Sequence, residues 1–284
     1  ATLLSQERAA SDSFLMRVLT KLEKFNYRHS YNNIVISQEL ADKYADMLNG
    51  SVGGLKAPVV IPNWGDLSDI PELSEVSHDE IPGHLKTLKD WAKSDTLVLF
   101  GGNFSKSAAT PLLVEVFNKS NIRQTDIKLL LAGSGAEMSD CQNLIEKYDL
   151  QDTVRILSPW ETNDTQYILN LADIFVLPTL GEQALNSVPS KVLNYLRYGK
   201  PILAIAPSES SVSNIIQESN SGVCLPTFDL ETMARELIAL QQLDSTGRVK
   251  LGRNGRNYFI NHFASSKNLE RLCRLVVGAG RLDT

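Results

Sequence analysis

Cysteine is scarce in this chain: Cys141, Cys224 and Cys273 are widely spaced and odd in number. That excludes a disulfide framework and a zinc-finger spacing, and suits a reducing compartment. A basic surplus is missing too. Lys and Arg total 28 against 33 Asp and Glu, a formal charge of -5, which argues against a general nucleic-acid binder. No apolar run approaches the ~18–20 residues of a membrane span. The opening ATLLSQERAASDSF has no basic stretch followed by an apolar one, so no signal peptide is expected there. Histidine is rare, and no His/Asp/Glu cluster has ligand spacing, so neither a hydrolase constellation nor a metal site is expected. His84 and His262 read as surface or packing residues. Internal repeats and low-complexity tracts are absent.

What remains is an ordinary globular composition, 43% hydrophobic and 21% charged over 284 residues, enough for one large domain or about two of usual size. From Ser94 onward strands and helices alternate. TLVLF, DIKLLLAGSG, TVRIL, DIFVLPT, PILAIA and GVCLPT are short, continuous apolar runs, and helical patterns separate them. Continuous runs mark strands buried on both faces, so the expected fold is α/β, a Rossmann-like doubly wound parallel sheet. Beyond Phe228 everything reads as helix, with Asp229 as an N-cap and interruptions at Gly252 and Phe263–Ser266. The first part differs. An amphipathic helix, SFLMRVLTKLEKFNYRHS, precedes two strands, NNIVISQ and APVVIPNWGD, and then a Pro- and acid-rich linker. Two strands make no self-sufficient sheet. This part is therefore either docked on the second domain or the tail of a domain whose beginning is absent. The expected division is 1–78 partial N-terminal α/β domain, 79–93 linker and helix, 94–252 Rossmann-like domain, and 253–284 C-terminal helices packing back on the N-terminal part.

In doubly wound sheets ligands bind beyond the carboxyl ends of the strands. Four loops fall there: Gly101–Ser107, Gly133–Gly135, Ser158–Trp160 and Thr179–Ser190. Gly101 and Gly102 with Ser105 and Lys106 offer backbone amides and a cation, as phosphate cradles do. Neither a P-loop nor G-x-G-x-x-G is matched, so a dinucleotide site is not expected. In NSVPSKVLNYLRYGKPILAIAP a helix starts near Ser190. Ser187 and Ser190 are hydroxyl donors. Lys191 is a cation in a first turn, where the helix dipole disfavours it unless an anion is near. The plain alternative is that Ser190 caps the helix and Lys191 points to water.

These segments carry a resemblance. IPNW and VPSK…Y…GKPILA, with NNIVISQEL, VLFGGNFSKS, LLLAGSGAE, LADIFVLPT and SGVCLPTFDLETMARELIAL, look like the C-terminal half of retaining nucleotide-sugar glycosyltransferases of the two-domain GT-B fold. They are most similar to bacterial enzymes of colanic acid, capsule and O-antigen synthesis. The resemblance spans roughly Leu15 to Val277. It implies a nucleotide sugar, UDP- or GDP-linked, as substrate and a sugar or lipid-linked acceptor. It implies that Gly102, Asn103, Ser105, Lys106, Ser187, Ser190 and Lys191 hold the diphosphate. Gly133, Ser158, Pro159, Trp160 and Asn194 would face the nucleoside, and Asn186 and Val188 the donor sugar. No cofactor and no divalent metal are implied, and no catalytic residue is assigned. The departures are Asn186 and Asn194 where many relatives carry a Glu-x7-Glu pair, and Asn103 where many carry a basic residue. The acceptor domain looks incomplete, which leaves room for a partner chain and for a non-catalytic nucleotide-sugar-binding subunit or scaffold. A sugar-nucleotide epimerase of related fold would need acid/base residues that the sequence offers sparingly. The implied setting is cytoplasmic. The basic and apolar residues of Ser13–Ser30 raise peripheral contact with the inner membrane face, against the alternative that this apolar face packs on the core.

Overall fold

The computed structural model describes residues 14–48, 57–66, 82–92, 95–185 and 188–280. In chain order the elements begin with α1 (Phe14–His29), β1 (Ile34–Val35), α2 (Gln38–Leu48), β2 (Val59–Val60) and α3 (Gly83–Ala92). Next come β3 (Thr96–Gly101), α4 (Thr110–Phe117), α5 (Ser120–Arg123), β4 (Ile127–Ala132), α6 (Met138–Lys147) and β5 (Val154–Leu157). They continue with α7 (Thr165–Leu171), β6 (Ile174–Pro178), α8 (Ser190–Tyr198), β7 (Ile202–Ile205), α9 (Ser211–Ser219) and β8 (Gly222–Leu225). Three helices close the chain: α10 (Leu230–Gln242), α11 (Ser245–His262) and α12 (Ser265–Gly280).

Strands β3 to β8 form one six-stranded sheet in the order β5-β4-β3-β6-β7-β8, parallel throughout. The continuous apolar runs have their physical reason in this sheet. Alternate residues of a strand face opposite sides, and both sides are covered. Leu97, Leu99, Leu130 and Phe175 enter the core under α3, α7, α8 and α9. Val98, Phe100, Leu129 and Val176 enter the core under α4, α6 and α10. Each such side chain contributes about 1.5–3 kcal/mol by leaving water. From β3 the chain winds outward to β5, then returns to place β6 on the other flank of β3. The strand order therefore reverses between β3 and β6, and a crevice opens beyond their carboxyl ends.

Caps fix several helices in the frame. The Asp229 carboxylate accepts from the Thr232 amide at 2.8 Å, as its position suggested, and Ser210 accepts from Ser213 at 3.2 Å. Gly199, at φ 65°, ends α8 in the left-handed conformation.

Two sequence expectations are corrected. Gly252 does not interrupt a helix, because α11 runs unbroken through it. Its missing side chain serves packing instead. A Cβ there would lie 1.8 Å from the Gly199 carbonyl oxygen, so glycine is what lets α11 press against the end of α8. The apolar face of α1 does not pack on the core either. Phe14, Leu15, Leu22 and Phe25 are all more than half exposed. Among the described side chains of α1, Tyr27 is the buried one, stacked on Tyr44 of α2 at 5.6 Å.

The N-terminal part forms a separate two-stranded parallel sheet, β1 against β2. The chain's last helices reach back to it. Gly65 bridges Ala264, its amide donates to the Phe263 carbonyl at 3.0 Å, and Arg271 donates to the Val60 carbonyl at 3.0 Å. A polar seam joins α2 to α9. Ser211 Oγ and Asn214 Nδ2 donate to the Glu39 carboxylate at 2.7 and 2.9 Å.

Candidate functional site

The crevice between β3 and β6 is shaped by glycines that side chains would fill. Gly102 has φ 136°, and a Cβ on it would lie 2.2 Å from Lys191 Cε and 2.7 Å from Nζ. Gly133 has φ 139°, and a Cβ there would strike the Gly102 carbonyl oxygen at 2.0 Å. At these glycines the two loops meet backbone to backbone. The Gly102 and Phe104 amides donate to the Ala132 and Ser134 carbonyls, both at 2.8 Å, which locks them together. Among the described residues, no acceptor meets the amides of Asn103, Ser105 and Lys106. Ser105 and Ser107 share a hydroxyl contact of 3.1 Å, and the Lys106 side chain is exposed.

Tyr195 holds the end of β3 to α8. Its fully buried ring stacks on Phe175 with centroids 4.1 Å apart, and its phenol oxygen accepts from the Gly101 amide at 2.8 Å. Burial pushes the phenol's pKa up, so it stays protonated.

The N-cap of α8 is Pro189, not Ser190, and no side chain caps the helix. Ser190 is the first helical residue and is exposed. The Val192 amide donates to the Pro189 carbonyl at 3.1 Å, while those of Ser190 and Lys191 meet no acceptor among the described residues. Donors left open at a helix N-terminus, together with its dipole, favour an anion. Lys191 does not simply point to water. Its Nζ lies 4.2 Å from the Phe100 ring centroid, in cation–π range, and it has no acidic partner among the described residues. Burial pushes its pKa down to about 8. A cation held in the crevice without a counter-anion is a charge waiting for one.

Beside this point lies a cleft of about 340 Å³, with Gly102, Asn103, Gly133 and Ser134 on one side and Trp160, Thr162 and Thr165 on the other. The Trp160 indole lies across Gly101, where a Cβ would meet the ring at 2.6 Å. Its Nε1–H donates to Thr165 Oγ1 at 3.0 Å. A second, larger cleft of about 650 Å³ runs along the α2–α9 seam, with Glu39, Asp42, Glu218, Tyr258 and Lys267 on its walls and Val188 at one end. Burial raises the Glu39 carboxyl, but hydrogen bonds from Ser211, its own amide and Asn214 outweigh that and leave its pKa below the ordinary value.

The sequence candidates are therefore distributed as follows. Gly102, Asn103, Gly133 and Trp160 line one cleft, and Lys191 adjoins it through Gly102. Ser158 and Pro159 are exposed and do not line it. Asn194 is half-buried on α8, and Val188 is buried beside the larger cleft. Asn186 and Ser187 lie outside the described residues. Sequence reasoning missed Thr162, Thr165 and Tyr195, and reached Ser134 only as part of the Gly133–Gly135 loop. Thr162 and Thr165 lie two and five residues after Trp160, but only the fold shows that the loop turns them onto the same cleft. Among the described residues no three His, Cys, Asp or Glu side chains are placed to hold a metal ion. Nor is any helix there long and apolar enough to cross a membrane.

Comparison with known proteins agrees with this architecture. At the sequence level the chain is similar to the putative colanic acid biosynthesis glycosyltransferase WcaL of Escherichia coli K12. That match is 25% identical over 117 residues, 40% of this chain and 28% of the relative. It is also similar to the probable glycosyltransferase WbjE of Pseudomonas aeruginosa, 23% identical over 269 residues, 93% of this chain and 62% of the relative. The chain thus spans less than two thirds of these relatives' length. Its fold matches HepE of Anabaena, solved with UDP and glucose, at TM-score 0.72 with 15% identity, covering 97% of this chain and 69% of that one. It likewise matches WaaG, a glycosyltransferase of lipopolysaccharide biosynthesis, at TM-score 0.66 with 18% identity, covering 98% and 72%. The family model described as glycosyl transferases group 1 matches residues 86–258, more than half of the chain. The chain belongs to the group 1 glycosyltransferases.

Proposed function

We propose that this chain carries the donor side of a glycosyltransferase, moving a sugar from a UDP- or GDP-sugar to a polysaccharide or lipid-linked acceptor. The observation that carries this reading is the meeting of Lys191, the open N-terminus of α8 and the Gly102 turn at one point of the crevice. A diphosphate placed there meets amide donors, a helix dipole and a cation. The same groups stabilise the charge that grows on the leaving nucleoside diphosphate as its bond to the sugar breaks. Lys106 and Lys191 supply the positive charge in this reading, which invokes no divalent metal and retains the anomeric configuration. The nucleoside lies in the cleft beside Trp160, and the sugar points toward Val188 and the larger cleft, where the acceptor enters. Family membership supports the reaction class. The UDP complexes of HepE and of TarM from S. aureus support a nucleotide-sugar donor. A further stretch of polypeptide or a partner chain completes the acceptor side around β1 and β2.

The test is release of nucleoside diphosphate from UDP- and GDP-sugars, with and without acceptor and a candidate partner chain. Turnover in any combination supports a transferase. Nucleotide binding with no turnover in every combination supports a non-catalytic subunit instead, and neither binding nor turnover refutes both.

One observation favours a second element, contact with the inner membrane face. Helix α1 exposes Phe14, Leu15, Leu22 and Phe25 beside Arg17, Lys21, Lys24 and Arg28, which suits an anionic surface bearing a lipid-linked acceptor. Co-sedimentation with anionic liposomes at low salt is expected. Its absence rules the contact out.

A further inference from the structure

The ladder between β3 and β6 opens before either strand ends. Strand β3 pairs with β4 along its whole length, from Thr96↔Ile127 to Gly101↔Ala132. Its pairing with β6 covers Val98↔Ile174 and Leu99↔Phe175, while β6 runs on beside β7 to Pro178↔Ile205. The Thr96 and Gly102 amides donate to the Asp126 and Ala132 carbonyls, on the β4 side. Backbone groups of alternate residues point to opposite neighbours, so the Leu97, Leu99 and Gly101 amides face β6. The Leu97 amide meets the Asp173 carboxylate there at 2.8 Å. At Gly101 the partner strand has already diverged.

The Tyr195 phenol fills that place. It accepts from the Gly101 amide at 2.8 Å, and its own hydrogen faces the Gly101 carbonyl at 3.5 Å. A buried amide without an acceptor is costly, so the phenol stands in for the missing ladder bond. The Tyr195 ring is buried against Phe175, at the last β3–β6 pair. Lys191 and Tyr195 are four residues apart on α8, so they share one face a turn apart. Lys191 packs against Gly102, and Tyr195 bonds Gly101. Two successive residues at the end of β3 are thus held by two successive turns of the helix whose N-terminus faces the crevice.

We infer that Tyr195 is a positioning residue for the donor's diphosphate. Its phenol, a wedge in the opened β3–β6 ladder, fixes the Gly102 turn against Lys191 and the N-terminus of α8. The inference rests on the reading that these groups hold the diphosphate. Tyr195 is buried and acts through Gly101. Without the phenol oxygen the Gly101 amide loses its acceptor, the strand end shifts or admits water, and Gly102 moves with it. Binding constellations need their groups held to within about 0.5 Å.

The test is calorimetric titration of the full chain with UDP and GDP, comparing wild type, Tyr195→Phe and Ile127→Val, with melting temperatures read alongside. Tyr195→Phe keeps the ring and its stack on Phe175 and removes the oxygen alone. Ile127 is buried at the amino end of β4, away from the crevice. Both variants should lower the melting temperature by about 2–4 °C. Tyr195→Phe should weaken the tighter-binding nucleotide about three- to tenfold, while Ile127→Val leaves it unchanged. Undiminished affinity in Tyr195→Phe would overturn the inference, because the side chain would then serve packing that phenylalanine also supplies. An equal loss in Ile127→Val would overturn it too, since the loss would follow stability and not the phenol. Hydrogen exchange of the wild type gives a reading that needs no variant. The Gly101 amide should be protected, and saturating nucleotide should slow its exchange further. An unprotected Gly101 amide, or one that nucleotide leaves unchanged, would contradict the wedge. A wild type that binds neither nucleotide would refute the donor reading itself, and this inference with it.

Discussion

At the scale of single residues, Lys191 is where structure and chemistry meet most closely. Its folded pKa of about 8 is set by burial, below the ordinary 10.5. Below pH 8 both folded and unfolded chains carry the proton, and the folded state bears the full cost of desolvating it. Between pH 8 and 10.5 the folded state releases a proton that the unfolded chain keeps. On account of Lys191, stability therefore rises with pH across that window. Ligand binding runs the other way, because a diphosphate needs the charged form. Nucleotide affinity should be level from about pH 7 to the lysine's pKa. Above it the affinity should fall, approaching tenfold per unit. A titration series by calorimetry checks this, with Lys191→Met expected to be weak and flat over the same range. A wild-type profile as flat as the variant's would remove Lys191 from the phosphate site.

At the scale of elements, the close crossing of α8 and α11 fixes the helix whose N-terminus faces the crevice. Alanine at position 252 would gain about 1 kcal/mol of helix propensity. It would also force a methyl group to within 1.8 Å of the Gly199 carbonyl. Overpacking of that kind costs about 1–3 kcal/mol, so Gly252→Ala should lower the melting temperature, read by circular dichroism. A rise would mean that the helices do not approach this closely. This pair also marks what the sequence could and could not say. The parallel sheet was legible because burial on both faces writes continuous apolar runs, and the Asp229 cap was legible because it is local. Gly252 was misread as a break because a glycine needed by a distant backbone looks the same along the chain as one that ends a helix. The place of Thr165 on the cleft stayed hidden for a similar reason, since it depends on how the loop after Trp160 turns back beneath the indole. The apolar face of α1 left membrane contact and core packing both open in the sequence, because periodicity gives a stripe but not what covers it.

At the scale of the whole molecule, polar contacts among the described residues tie the N-terminal part to the six-stranded domain. The Glu39 carboxylate takes hydrogen bonds from Ser211 and Asn214 of α9, and its pKa lies below the ordinary 4.5. A depressed carboxyl contributes stability that is present above its unfolded pKa and is lost as pH falls through the folded value. The seam should therefore loosen in acid, below pH 4.5. Glu39→Gln should blunt that dependence while costing about 1 kcal/mol at neutral pH. Hydrogen exchange in α2 and α9 against pH would show it. Equal protection of wild type and variant throughout would mean that the seam does not hold the two parts. The relation of the parts bears on turnover, because the larger cleft, where the acceptor is proposed to enter, lies along this seam.

The central claim is that the N-terminus of α8 and Lys191 grip the donor's diphosphate without an acid pair behind them. Calorimetric affinity for UDP in wild type against the double variant Ser190→Ala, Lys191→Ala tests it most directly. The account predicts a loss of at least about thirtyfold, the worth of a charge-assisted contact and a hydroxyl together, in a protein whose melting temperature is not lowered. A double variant that binds UDP as tightly as wild type would contradict it.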